Sequence, residues 1–133
     1  MKVYIFGNED LPQDNIAFKV AEKLNGKLEN VQFVPVKPNE DLPFVDEEKI
    51  VIMDGVWGLD EVKLIEGNDI DRLVLPKRVT VHDFDLGFQL KYLKKLGKLG
   101  DVKIIGLPTD GKIDYRLIQS ILRKLVAQDM QGS

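Results

Sequence analysis

The feature that most constrains this chain is an alternation. Short apolar runs, each closed by turn residues, take turns with longer segments whose apolar residues recur every three or four positions. A run of four to six residues without polar alternation fits a strand covered on both faces. Val3 to Phe6 is one such run, closed by Gly7-Asn8. Val31 to Val36 reads as a second strand, and Lys49 to Met53, ending in Asp54-Gly55, is the clearest. Val102 to Leu107 is another. Leu59 to Ile65 and Asp71 to Leu75 read as weaker, peripheral strands, and Val79 to Val81 leads to His82.

Between these runs the period changes. From Asn15 onward, Ile16, Ala17, Val20, Ala21 and Leu24 make one apolar helical face, with Asp14 or Asn15 available as the cap and Asn25-Gly26 as the stop. A second helix is expected from about Asp85 to Leu96, and a third from about Tyr115 to Gln128, its stripe formed by Ile118, Ile121, Leu122 and Leu125. Pro38 to Glu48 is rich in proline and acid and reads as loop. Strands that alternate with helices imply an α/β fold. The expected form is a three-layer sandwich, a largely parallel twisted sheet flanked by helices on both faces. At 133 residues the whole chain, 1–133, is expected to form one domain.

Composition removes several functions. The net charge is −3 with acids and bases interspersed, which offers no basic stripe for nucleic acid and no polybasic segment for an anionic membrane. There is no cysteine, so disulfides, thiolate metal sites and a thiol nucleophile are all excluded. No apolar run reaches the ~20 residues of a membrane helix, and no signal peptide is read at the start, so a cytoplasmic location is expected. Gly7-Asn8 is not a phosphate loop, because neither a G-x-G-x-x-G nor a G-x-x-x-x-G-K pattern surrounds it.

In open α/β sheets, ligands bind beyond the carboxyl ends of the strands. That rule selects the loop from Gly7 to Asp14, the acid Asp54 and the loop around His82, the single histidine of the chain. Carboxylate oxygen and imidazole nitrogen suit first-row divalent metals such as nickel or zinc. Each residue also has a plainer reading: Asp14 as a helix cap, Asp54 as a turn acid, His82 as a satisfied surface histidine.

Taken in order, these residues resemble a known family. Ile5-Phe6-Gly7-Asn8, a six-residue loop closing on Asp14 and an amphipathic helix resemble the opening of the nickel–iron hydrogenase maturation endopeptidases. Ile50-Val51-Ile52-Met53-Asp54 is similar to that family's apolar strand ending in Asp, and Val81-His82-Asp83-Phe84-Asp85-Leu86 to the segment in which its His precedes a helix. Val102 to Pro108 resembles its last sheet strand. The family's first-loop acid, usually Glu, falls on Asp14, its strand-end acid on Asp54 and its histidine on His82. The resemblance implies an endopeptidase that recognises nickel already inserted in a hydrogenase large-subunit precursor and then removes a C-terminal extension. The nickel would be supplied by that precursor, held by Asp14, Asp54 and His82, and no permanent cofactor is implied.

The chain departs from the pattern at Asp14, one methylene shorter than Glu, and at Gln13, where the family often has Asp. Val36-Lys37-Pro38-Asn39-Glu40 replaces an Asp-Gly-Gly-like turn. No serine stands in a nucleophile elbow, so a water-mediated hydrolysis is expected, with Asp14 and Asp54 as general-base candidates. The alternative is a non-proteolytic relative acting as a nickel-dependent binding or chaperone protein for a metalloenzyme subunit. A third reading is a metal-free small-molecule domain with an apolar pocket beside Trp57.

Overall fold

The computed structural model describes residues 1–7, 10, 15–36, 47–56, 58–66, 101–109 and 112–131. These form five strands, β1 (Lys2–Ile5), β2 (Gln32–Pro35), β3 (Lys49–Val56), β4 (Lys63–Glu66) and β5 (Asp101–Pro108). Two helices accompany them, α1 (Ile16–Leu24) and α2 (Tyr115–Gln131). The strands make one sheet in the order β2-β1-β3-β5-β4. All neighbours are parallel except β4, which runs antiparallel to β5 at one edge. This is the α/β architecture and the largely parallel sheet that the alternation predicts.

Because successive strand residues point to opposite faces, the apolar runs divide into two clusters. Val3 and Ile5, Val51 and Met53, and Ile105 and Leu107 point to one face, where Ala17, Val20, Ala21 and Leu24 of α1 meet Ile118, Leu122 and Leu125 of α2. Tyr4 and Phe6, Ile50, Ile52 and Val56, and Val102 and Ile104 form a buried cluster on the other face. Burying each such side chain stabilises the fold by roughly 1.5–3 kcal/mol relative to leaving it in water. Both described helices lie on the first face. The helix expected at 85–96, the strands expected at 71–75 and 79–81, and most of the loop expected at 38–48 fall outside the described residues.

The helix ends follow local chemistry. The Asn15 carbonyl accepts the Lys19 N–H at 3.1 Å, but its side chain makes no capping bond. Gly26 takes φ +79° just past α1, the left-handed conformation expected of it, and the Lys27 N–H returns to the Leu24 carbonyl at 3.0 Å. Asp114 caps α2: its Oδ1 accepts the Leu117 N–H at 3.1 Å. The two helices also touch through Lys23, whose ammonium stands 4.4 Å from the centre of the Tyr115 ring.

Three expectations are corrected. The third strand does not stop at Asp54-Gly55: it continues to Val56, because Asp54, Gly55 and Val56 pair with Gly106, Leu107 and Pro108 of β5. The segment from Leu59 is strand only from Lys63, after a turn in which Gly58 takes φ +88°. The last helix runs three residues beyond Gln128, to Gln131.

Candidate functional site

The chain moves one way across the sheet from β1 to β2 and the other way from β3 to β5, so the strand order reverses between β1 and β3. Such a reversal is where open α/β sheets place their ligand crevice. The carboxyl ends are staggered there. The last register pair of β1 with β3 is Ile5 with Met53, after which the Phe6 N–H still reaches the Met53 carbonyl at 3.1 Å. Gly7 then turns the chain away at φ +132°, a conformation that favours glycine. Asp54 is thus the first residue of β3 beyond the end of β1, and it remains hydrogen-bonded into the ladder with β5.

Asp54 is half-buried, flanked in β3 by the buried Met53 and the half-buried Gly55. It shares its strand face with Ile52 and Val56, opposite the face that carries α1 and α2. Two glycines stand beside it for different reasons. Gly106, its register partner on β5, lies under Leu59, Ile65 and Val56: a Cβ there would stand 2.8 Å from Leu59 Cδ1, 3.0 Å from Ile65 Cδ1 and 3.2 Å from Val56 Cγ2. Gly55 faces α1 instead, and a Cβ there would stand 2.7 Å from Ile16 Cγ2 and 3.2 Å from Thr109 Cγ2. The sequence pattern places Gly55 in a turn, whereas the structure keeps it paired inside the strand, where a glycine marks the close approach of another element.

Of the three residues singled out from the sequence, Asp54 is described, at the carboxyl edge of the sheet. Asp14 and His82 lie outside the described residues, as does Trp57 of the third reading. Among the described residues no group of three or more His, Cys, Asp or Glu side chains is arranged to hold a metal ion. Nor is any described helix long and apolar enough to cross a membrane.

One pleat below Phe6, on the same face, Tyr4 donates its hydroxyl to Glu47 Oε1 at 2.5 Å. Burial of the phenol, the hydrogen bond to Glu47 and the nearby negative charge together push its pKa up to about 12. Tyr4 is therefore uncharged at neutral pH and acts as a tether to the residues that lead into β3. At the amino ends of the strands, remote from Asp54, a cleft of ≈ 190 Å³ is lined by Lys2, Glu47, Lys49, Asp101, Lys103 and Asp129 among others. Basic and acidic groups are mixed along its lining.

No protein-family model matches the sequence, and no curated protein matches it either. Solved structures do. The chain is similar to the hydrogenase maturating endopeptidase HybD from E. coli with a TM-score of 0.63 at 14% identity, over 100% of this chain and 94% of that one. It is similar to the hydrogenase 3 maturation protease with a TM-score of 0.58 at 18% identity, over 93% of this chain and 87% of that one. It is also similar to the [NiFe] hydrogenase maturation protease HycI from Thermococcus kodakarensis KOD1, with a TM-score of 0.51 at 20% identity, over 96% and 90% of the two chains. The chain has the fold of the hydrogenase maturation endopeptidases.

Proposed function

We propose that this protein is an endopeptidase that recognises nickel in a hydrogenase large-subunit precursor and removes the precursor's C-terminal extension. The observation that supports this reading is the likeness of fold to the hydrogenase maturation proteases along the whole chain. The half-buried Asp54, next to the strand-order reversal, is in keeping with it.

In this reading Asp14, Asp54 and His82 face the nickel of the precursor. The nickel is part of the substrate and leaves with the product. Peptide hydrolysis requires a nucleophile, a polarised carbonyl and a proton for the departing amine. With no cysteine in the chain and no serine in a nucleophile-elbow pattern, the proposed nucleophile is a water molecule. Asp54 and Asp14 are the groups proposed to take its proton, and a carboxylate that has done so can return the proton to the amine. The partner is the large-subunit precursor, and the proposed setting is the cytoplasm, without nucleic acid or membrane.

The test is incubation of the purified chain with a nickel-loaded large-subunit precursor, followed by intact-mass measurement of the precursor. Loss of a C-terminal peptide from the nickel-loaded form and not from the nickel-free form is expected. Nickel-dependent complex formation with no change in the precursor's mass would instead identify a binding or chaperone protein.

A further inference from the structure

We infer that Gly55 is a positioning residue, which sets how closely the first turn of α1 approaches the carboxylate-bearing end of β3. The inference deepens the proposed function and rests on its assignment of Asp54.

Gly55 follows Asp54 directly and stays in the ladder, paired with Leu107. Its missing side chain would point at the helix face of the sheet. There the space is already taken from two sides, by Ile16 Cγ2 at 2.7 Å and Thr109 Cγ2 at 3.2 Å from an added Cβ. Real Cβ atoms do not tolerate the first distance, so something must move. Both intruding atoms are γ-methyl groups of β-branched residues, and such groups do not swing aside easily. Ile16 is the first residue of α1, and a helical isoleucine keeps one strongly preferred χ1 rotamer. The distal methyl of a long side chain could fold away, but Cγ2 moves only if χ1 leaves its preferred well or the backbone shifts.

The backbone on each side is held. Gly55 and Asp54 are locked by pairing with β5, and α1 is held by Ala17, Val20, Ala21 and Leu24 against the sheet. A side chain at position 55 therefore forces Ile16 out of its preferred rotamer, shifts the start of α1 away from β3, or pushes β3 outward and carries Asp54 with it. Glycine here places two elements of the carboxyl edge within van der Waals contact. Nothing about a strand requires it: the same face of the neighbouring strand carries Leu107 at the level of Gly55 and Ile105 at the level of Met53. Misplacement of a reacting group by about 1 Å costs on the order of 100-fold in rate.

The experiment compares wild type, Gly55→Ala and Gly55→Ala/Ile16→Leu on a nickel-loaded large-subunit precursor with its C-terminal extension. Leucine removes the γ-methyl group that conflicts with position 55 and keeps the apolar volume. Gly55→Ala is expected to lower kcat by roughly 10- to 100-fold with KM little changed. Ile16→Leu is expected to restore most of the loss. Ile16→Ala, which removes the side chain on which Gly55 rests, serves if Gly55→Ala fails to melt cooperatively, and is expected to lower kcat in the same way. Wild-type kcat in Gly55→Ala, a loss that Ile16→Leu does not restore, or wild-type kcat in Ile16→Ala would each overturn the inference. Asp54→Asn run alongside separates the two levels. If it processes the precursor at the wild-type rate, the assignment of Asp54 fails and this inference with it; if it is inactive while Gly55→Ala is fully active, only the positioning role fails.

Discussion

Asp54 and Gly106 face each other across the β3–β5 ladder, one bearing a half-buried carboxylate and the other no side chain. The space above Gly106 is filled by Leu59, Ile65 and Val56, so the carboxylate stands beside an apolar wall built from three other places in the chain.

That wall makes Gly106 sensitive. Gly106→Ala brings a methyl group within 2.8 Å of Leu59 Cδ1 and 3.0 Å of Ile65 Cδ1. Both are ends of flexible side chains and yield in part, so the expected loss is about 1–2 kcal/mol, within the ordinary range for overpacking. Gly106→Val adds branched bulk and is expected to cost more. Urea unfolding midpoints of the two variants check the order, and an unchanged midpoint for Gly106→Val would contradict the packing described.

Asp54→Asn keeps the shape of the side chain and removes its charge. If the carboxylate faces the precursor's metal or moves a proton, processing is expected to fall by at least ~100-fold, in the range seen when general acid–base catalysis is lost. Mass measurement of the precursor over time gives the rate. The melting temperature, measured in parallel, reports whether the loss is separate from folding.

Tyr4 gives the protein an alkaline signature. Its folded pKa, about 12, lies above the ordinary tyrosine value of 10.0. The neutral form is thus favoured by folding. The corresponding stabilisation is complete below pH ~10 and is lost as pH rises through the folded value. The absorbance change of tyrosinate formation should include a late component, absent in Tyr4→Phe. At neutral pH the same variant loses a hydrogen bond to a carboxylate and is expected to be destabilised by about 1–2 kcal/mol.

Asp114 holds the start of α2 by one bond to the Leu117 N–H. Asp114→Ala is expected to cost about 0.5–2 kcal/mol, and Asp114→Asn, which keeps a capping oxygen, less than half of that. Thermal melts of the pair distinguish loss of the cap from loss of charge.

The parts of this fold that were legible in sequence are those whose cause is local. The period of Ala17, Val20, Ala21 and Leu24 names a helix and its buried face together, and the apolar runs of β1 and β3 and the mostly apolar run of β5 name strands covered on both sides. Gly26 announced its own positive φ. What escaped depends on partners distant in sequence. Asp54-Gly55 has the composition of a turn, and only β5, some fifty residues later, shows why the strand continues through it. The crowding at Gly55 and Gly106 depends on Ile16, Thr109 and Leu59, whose proximity no local pattern encodes. Asp114 precedes its helix in the position a cap takes, but Asp and Lys are common throughout this chain and the signal did not stand out. Of the candidate trio, the place of Asp54 at the carboxyl edge was legible because a strand-end acid is a local pattern, though the ladder pairs that follow it were not.

The stagger of the carboxyl ends has a mechanical consequence. β3 is joined to β5 through eight register pairs and to β1 through two. The sheet is therefore stiff on one side of Asp54 and compliant on the other. Force applied across the crevice, as when a bulky protein partner wedges into it, is borne by the short seam, so that β1 and β2 yield together while Asp54 keeps its seat on β5. Amide exchange should show this as earlier opening at Phe6 than at the β3–β5 ladder, and equal protection on both sides would mean that the seam is as rigid as its neighbour.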